Sequence, residues 1–326
     1  SKSSYVNAIL RKVSGDKAQL AELDLLPIVE KLSIKYSHPI WIVNAFYDQL
    51  KSWESVEQLL AADNQAARPD LVAWPTKSTE AEFLNAGAQK IESIKNGFTI
   101  EAIPSEFTPV IERRAGVQDR GSQIVVDDLL ATWRPGLKWL DMCAGPGGKA
   151  AYLYYSLKSL EESVDFLANE PVPHRAELVK RVIGNEIVVS FDGTKPESFT
   201  GQFDRILIDA PCTGLGALRR RPEARWRKKP SDLKELVSIQ HQLLESAYRL
   251  LLPLGIIAYV TCSPHISETK AQVVNFLADH DDMKILDISS LVGANQSGRN
   301  PDGTVQLWTH LNQSDSMFIA FLQKID

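Results

Sequence analysis

The hydrophobic pattern of this chain changes character along its length. Over the first 30 residues Val6, Ile9, Leu10 and Val13 recur at helical spacing, which predicts a helical piece too short to fold alone. From Ser37 to about Thr108 the pattern is mixed. Helices are predicted in IWIVNAFYDQL after Pro39 and around Val56 to Ala62, and an apolar LVAW segment spans Leu71 to Trp74. Breakers at Pro104, Pro109 and Gly116 then mark a boundary. From Val117 onward, short apolar runs alternate with helical stretches. The runs are Lys138 to Met142, Val164 to Ala168, Ile187 to Phe191, Phe203 to Ile208, Gly255 to Val260, Met283 to Ile288 and Met317 to Leu322. Alternation of this kind predicts right-handed βαβ units on a mostly parallel sheet with helices on both faces, a doubly wound α/β fold. The expected division is a helical remnant over 1–30, a small α+β domain over 31–115 and the larger α/β domain over 116–326.

Composition narrows the function. Hydrophobic residues at 44% and charged residues at 24% describe a folded globular chain, and 326 residues accommodate two domains. No apolar run reaches the length of a membrane span, and SKSSYVNAILRKV has no secretory signal pattern, so a cytoplasmic location without a membrane partner is expected. The net charge of −5 excludes a protein that grips nucleic acid with its whole surface and confines such binding to local patches. Three scattered cysteines, Cys143, Cys212 and Cys262, make neither a disulfide framework nor a C-x-x-C zinc site, so reduced thiols and no metal are expected.

The segment KWLDMCAGPGGKA, Lys138 to Ala150, ends a predicted strand and enters a helix, with Gly145, Gly147 and Gly148 in the turn. Glycine there lets backbone approach a ligand closely, although a tight strand-to-helix turn needs glycine in any case. Glu170 ends the next predicted strand, 23 residues after Gly147, at the spacing of a carboxylate that accepts from ribose hydroxyls. Asp192 and Asp209 end the two strands that follow. Because the carboxyl ends of parallel strands converge on one crevice, Asp141, Glu170, Asp192 and Asp209 are expected to line a single pocket. No G-x-x-x-x-G-K-[ST] is present, which favours an adenosine-containing cofactor without a triphosphate. Cys212, in DAPCTGLGALRRRPEARW, and Cys262, in YVTCSPHISE, follow consecutive strands and should reach the same crevice. The plainer alternative for each is a small buried hydrophobe.

DMCAGPGGK, DAPCTGLGALRRRPEARW and YVTCSPHISE resemble the signatures of the RNA (cytosine-5)-methyltransferases, in the bacterial Sun/Fmu/RsmB branch that modifies 16S ribosomal RNA. GVQDRGSQ, at Gly116 to Gln123, is similar to that family's segment leading into the catalytic domain. YSHPIW, at Tyr36 to Trp41, resembles its N-terminal linker domain, and YVNAILRKV, at Tyr5 to Val13, resembles the last helix of its NusB-like RNA-binding domain. The sequence would then lack most of the NusB-like part. The resemblance implies a Rossmann-like class I fold that uses S-adenosyl-L-methionine (SAM), with a seven-stranded sheet, and a monomer is expected. It implies that Cys262 adds to cytosine C6, that Cys212 serves the release step, and that Asp209 holds the base edge and stabilises the protonated adduct. Lys149 is expected to lower a thiol pKa or meet the base or cofactor, with an exposed helix-start lysine as the alternative. Cys143, Ala144, Gly145, Pro146, Gly147, Gly148 and Lys149 match the cofactor loop, with Cys143 read as packing. Glu170 matches the ribose contact, where the family often has Asp, and Arg175 an arginine that orients it; Asp192 matches the adenine contact and Asp209 completes the set. One departure is that Glu268 is followed by Thr269 and Lys270 where the family usually shows E-N-E.

For RNA, Arg219, Arg220, Arg221, Arg225, Arg227, Lys228 and Lys229 cluster just after Cys212 around Trp226, a local cationic surface suited to phosphate and base contacts, or else a solvated loop. His38, Trp41 and Arg68 are candidates to extend that track, with core packing the alternative for Trp41. Three other readings stay open: a transfer RNA cytosine-5 methyltransferase, a non-catalytic RNA-binding assembly factor on the same fold, and an NAD-dependent dehydrogenase. The missing G-x-G-x-x-G and the paired strand-end thiols weigh against the last.

Overall fold

A computed structural model describes residues 2–15, 23–101 and 103–325. Helices Ile28–Tyr36, Ile40–Leu50 and Trp53–Asp63 form an N-terminal bundle, the second of them over the stretch that the sequence predicts. Strands β1 (Asp70–Ala73), β2 (Gln89–Lys90), β3 (Gly97–Thr99) and β4 (Ala115–Val117) follow as a four-stranded antiparallel sheet in the order β2-β3-β1-β4. The helix Lys2–Gly15 leaves Tyr5, Val6, Ile9, Leu10 and Val13 exposed, and residues 16–22 of the predicted N-terminal segment lie outside the described residues.

The second sheet contains β5 (Lys138–Asp141), β6 (Asp165–Asn169), β7 (Val188–Val189), β8 (Phe203–Asp209), β9 (Leu251–Thr261), β10 (Met283–Ile285), β11 (Val305–Gln306) and β12 (Phe318–Lys324). Seven strands run in the order β10-β12-β9-β8-β5-β6-β7, and β11 pairs with β12 off this row. From β9 to β7 the pairing is parallel; β12 is antiparallel between β9 and β10. All seven predicted apolar runs supply strands, and the short β11 is an eighth that the sequence pattern does not signal. Successive side chains of a strand point to opposite faces. Trp139, Leu207, Ala258 and Val260 accordingly pack with helices Arg120–Leu130 and Gly148–Leu160, whereas Leu140, Ile206, Ile208, Ile257 and Tyr259 pack with helices Pro230–Leu250 and Lys270–Asp279. This two-sided burial accounts for the near-continuous apolar runs of the parallel strands.

The expected boundary at 116 falls within β4. Leu71, Phe83, Phe98, Phe107 and Ala115 form an apolar cluster that belongs to the small sheet alone, while two further clusters are shared with the α/β part. Val72, Trp74, Ile91 and Ile94 belong to the same apolar cluster as Trp139 and Val260. Leu32, Ile42, Phe46 and Leu60 cluster with Leu215, Leu218 and Trp308 of the α/β part. A bidentate contact from Arg120 to the buried Asp70 carboxylate, at 3.0 and 2.9 Å, pins the small sheet to the start of the first α/β helix. Among the described residues no helix is long and apolar enough to cross a membrane, and no group of three or more His, Cys, Asp or Glu is disposed to hold a metal ion.

Candidate active site

The site is built at the carboxyl ends of β5, β6, β8 and β9. Asp209 closes β8 opposite Val260 of β9, so the loops that leave these two parallel neighbours start side by side. Cys212 and Cys262 sit in those loops with their sulfurs 3.4 Å apart, and both are free, partly buried thiols. Gly216 fixes the approach. Its N–H donates to the Cys262 carbonyl at 2.9 Å, and its carbonyl accepts from Ser316 at 2.9 Å; a Cβ there would lie 1.8 Å from the Ser316 oxygen. The sequence marks that glycine only as one of two in CTGLGA.

On the other side of the thiols, Lys149 extends from the first turn of helix Gly148–Leu160 and donates to Asp209 Oδ2 at 2.9 Å. Burial disfavours its charge, but the charge of Asp209, the hydrogen bond to it and the neighbouring Cys262 and Asp141 outweigh that effect and raise its pKa. Lys149 is thus a partly buried cation at the thiol pocket and not an exposed helix-start lysine. Cys143 has its thiol pushed up well above the usual value by burial and by Asp141, Asp209 and Glu170, which keeps it an unreactive packing group.

The glycine-rich loop wraps around a carboxylate. Glu170 is 2% exposed and accepts from Gly145 N–H at 3.1 Å and from Val172 N–H at 2.9 Å. Arg175 lies 3.5 Å from the same carboxylate and also donates to the Gly145 carbonyl. A Cβ on Gly145 would fall 2.0 Å from Glu170 Oε2, so glycine is required there for close approach. At Gly147, φ is +112°, a conformation that L side chains rarely adopt. Asn169, which the sequence reading passes over, clamps the adjacent loop: its amide donates to the Met142 and Phe191 carbonyls at 3.1 and 3.2 Å and accepts from Phe191 N–H at 2.8 Å. Asp192, beyond that clamp, is exposed and accepts from Thr194.

These residues fit a donor bearing a positive sulfonium and amino group. Asp141 is fully buried, its Oδ1 accepts from Cys143 N–H at 3.3 Å, and its Oδ2 is buried without a hydrogen-bond partner. Burial and the charge of Asp209 raise its pKa to about 7, the signature of a crowded carboxylate site that a cation relieves.

The described fold agrees with the comparisons. The family model for 16S rRNA methyltransferase RsmB/F matches residues 130–323. The chain belongs to this family. A Mycobacterium tuberculosis protein named as a methyltransferase is 37% identical over 99% of this chain and 73% of its own length. Ribosomal RNA small subunit methyltransferase B of Yersinia enterocolitica is 28% identical over 88% of this chain and 67% of its own. The solved structure of PH0851 superposes with a TM-score of 0.79 at 26% identity, covering 91% of this chain and 68% of that one. At the level of fold alone, NSun6 from Pyrococcus horikoshii, solved with the SAM analogue SFG, gives a TM-score of 0.75 at 14% identity over 88% of this chain and 98% of that one. As a member of this family the chain is a SAM-dependent RNA methyltransferase.

The basic cluster divides in a way the sequence does not signal. Arg225 is 4% exposed and points into the N-terminal bundle, donating to the Ser37 and Asp63 carbonyls at 3.3 Å each and to Asn64 Oδ1 at 2.8 Å. Arg219 lies 3.5 Å from buried Asp119 and donates to the Gln313 carbonyl at 3.1 Å, and Arg220 makes a bidentate pair with the buried Asp315 carboxylate. Acceptors on neighbouring segments therefore claim Arg225 and Arg219 and bind one face of Arg220. Arg221, Arg227 and Lys229 are exposed, with Trp226 62% exposed beside them. His38 is fully buried and does not extend an RNA track, and Trp41 packs against the bundle core.

The residue most clearly missed is Glu268, which stands where the pattern after the thiol motif departs from the family's. It is fully buried, and its carboxylate accepts from Thr213 N–H at 2.8 Å, Thr213 Oγ1 at 2.5 Å and Gln240 Nε2 at 3.1 Å. A lone glutamate in a proline-containing loop carries no sequence signal for that role.

Proposed function

We propose that this enzyme methylates carbon 5 of a cytosine in 16S ribosomal RNA through a covalent bond from Cys262. The observation that carries the reading is the contact of Cys212 and Cys262 at 3.4 Å, beside the Lys149–Asp209 pair and the glycine-rich loop. A single reactive thiol would serve a simple addition; two at contact distance suit a reaction that forms a carbon–sulfur bond and must later break it.

Carbon 5 of cytosine is a poor nucleophile until a thiolate adds to C6. The Cys262 sulfur donates its lone pair to C6, and the C5–C6 π electrons move toward the ring nitrogens, where Asp209 and Lys149 stabilise the change in charge at the base edge. SAM, held by the glycine-rich loop, would supply an electrophilic methyl group, and C5 bonds to that carbon as the methyl–sulfonium bond breaks with its electron pair left on sulfur. Cys212, once its own proton has passed to solvent, takes the proton from C5; the C5–H pair re-forms the double bond as the C6–S bond breaks and Cys262 leaves as thiolate. One proton is released for each methyl transferred. For the donor, Gly145, Gly147 and Gly148 give close backbone approach, Glu170 and Arg175 shape the ribose end, Asp192 serves the adenine, and Ala144 and Pro146 complete the loop. Arg221, Trp226 and Arg227 form the exposed surface beside the thiols for RNA phosphate and base contacts, together with Lys228 and Lys229 and the outer face of Arg220. A paired target base must be unstacked before a thiol reaches C6.

Bisulfite sequencing of ribosomal RNA from cells with and without the gene tests the reading. One 16S cytosine is expected to lose its protection when the gene is removed. Unchanged protection throughout 16S RNA overturns the proposed substrate, and methyl transfer by the purified protein to any atom other than cytosine C5 overturns the chemistry.

A further inference from the structure

Two thiols in contact do not ionise independently, and a nucleophilic pair works only if the right member gives up its proton. We propose that Glu268 makes that choice: its buried carboxylate, anchored on the residue next to Cys212, holds Cys212 as the thiol and leaves Cys262 as the attacking thiolate.

The surroundings of the two sulfurs differ in charge. Glu268 grips both the backbone N–H and the hydroxyl of Thr213, immediately after Cys212, and Gln240 donates to the same carboxylate while also donating to the Pro211 carbonyl at 2.9 Å, immediately before it. The negative charge is therefore built into the Cys212 loop from both sides. The Thr213 hydroxyl lies 3.0 Å from Ser263 Oγ, and Ser263 follows Cys262, so the chain of hydrogen bonds also sets the spacing of the two thiol loops. The Cys212 thiol is pushed well up by the hydrogen bond to Cys262, by burial, and by the charges of Cys262 and Glu268, against a smaller opposing effect of the Gly214 backbone. Near Cys262 the charged groups are two ion pairs, Lys149 with Asp209 and Arg220 with Asp315, and a negative charge on the Cys262 sulfur is among the interactions that raise both cations.

The other titratable groups leave this asymmetry in place. Tyr259 donates its hydroxyl to the Glu268 carbonyl at 2.8 Å and is held neutral by burial and by the charges of Cys212 and Glu268. His265, on the turn that carries Glu268, is lowered by burial, against the charges of Glu268 and of Asp48 from the bundle. Asp209 is occupied by Lys149 and Asp315 by Arg220.

The proton balance is simple. Ionisation of the pair sends the Cys262 proton to solvent, while Cys212 keeps its own and donates S–H to the sulfur left negative. When that sulfur bonds to C6 it loses its charge, the largest influence holding the Cys212 proton disappears, and Cys212 then ionises for the release step. Glu268 touches neither base nor donor, so it is a positioning residue, and its assignment rests on the cytosine-5 reading above for its use though not for its measurement.

Alkylation of Cys212 by iodoacetamide, followed by mass spectrometry in a Cys262→Ser protein, tests this without RNA or methyl donor. Adding Glu268→Gln in that background is expected to raise the alkylation rate at pH 8 several-fold while the thermal melt stays cooperative; an unchanged or slower rate in the folded double variant overturns the assignment. Should Glu268→Gln fail to fold, Glu268→Asp in the Cys262→Ser background decides: with the carboxylate drawn back from Thr213 and Gln240, faster alkylation of Cys212 at pH 8 than in Cys262→Ser alone is expected, and an unchanged rate overturns the proposal. Failure of the cytosine-5 reading would appear separately, as absent 5-methylcytosine with the thiol titration unaffected.

Discussion

The sulfurs of Cys212 and Cys262 lie 3.4 Å apart, in contact but not bonded, at the mouths of two adjacent parallel strands. A disulfide would bring them to about 2.05 Å. Because strand order and the Asp209–Val260 register fix where both loops begin, the separation follows from the sheet and from Gly216, whose backbone bridges the Cys262 carbonyl and Ser316.

Replacing Cys262 by alanine removes the sulfur that the proposed reaction adds to C6 and leaves the glycine-rich loop untouched. Methyl transfer is expected to fall below detection while SAM affinity, read by calorimetry, stays within about threefold, less than 1 kcal/mol. Retained turnover would remove Cys262 from the chemistry.

Gly145→Ala attacks the other half of the site. The added Cβ meets Glu170 Oε2 at 2.0 Å, so the loop must move or lose the carboxylate that holds it. SAM affinity is expected to fall at least tenfold, about 1.4 kcal/mol, and an unaltered dissociation constant would show that the loop does not hold the donor.

The divided basic cluster predicts two different phenotypes. Arg225→Ala leaves the Asp63 and Ser37 carbonyls and Asn64 without their donor, and is expected to cost about 1–3 kcal/mol of stability in denaturant unfolding. Arg227→Ala is expected to leave stability within about 0.5 kcal/mol but to lower the salt dependence of RNA binding by about one phosphate contact. The reverse pattern would contradict the assignment of Arg225 to the interface with the bundle.

His38 and Asp63 face each other, fully buried, at 3.8 Å, a distance that has the form of an ion pair. Burial lowers His38 to about 4 and raises Asp63 to about 8, so both are neutral at pH 7. The His38 Nδ1 bond to the Tyr36 carbonyl at 2.7 Å makes Nδ1 the protonated nitrogen and turns the Nε2 lone pair toward Asp63. For Asp63 the folded value lies above the unfolded one, near 3.8, so its contribution to stability is complete below about pH 4 and is lost as pH rises through about 8. Asp63→Asn is expected to remove a slope of about 1.4 kcal/mol per pH unit across that window, measured by denaturant unfolding at several pH values. A wild-type protein that gains stability from pH 5 to 8 relative to the variant would show that Asp63 is charged in the fold.

What could be read from the sequence was whatever a local pattern enforces. The apolar runs marked the main strands because burial on both faces leaves no room for polar positions, and Gly145, Gly147 and Glu170 stood out because turn chemistry and strand-end spacing are local. Arg225 and Arg221 look alike in sequence, but only the tertiary approach of the bundle separates the buried one from the exposed one. Glu268, Asn169 and Gly216 act across 55, 22 and 46 residues, onto Thr213, Phe191 and Cys262, and long-range partners of that kind leave no period or motif behind. The pairing of β4 with β1 is equally silent in the sequence, because breakers mark where elements end, not which sheet they join.

The central claim is that Cys262 forms the covalent bond and Cys212 is needed to break it. Incubating the Cys212→Ala protein with SAM and 16S ribosomal RNA, then resolving it on a denaturing gel, tests both halves together. A slow-migrating protein–RNA band is expected for Cys212→Ala and none for the Cys212→Ala/Cys262→Ala double variant. Absence of the band in the single variant, or its persistence in the double one, would contradict the account.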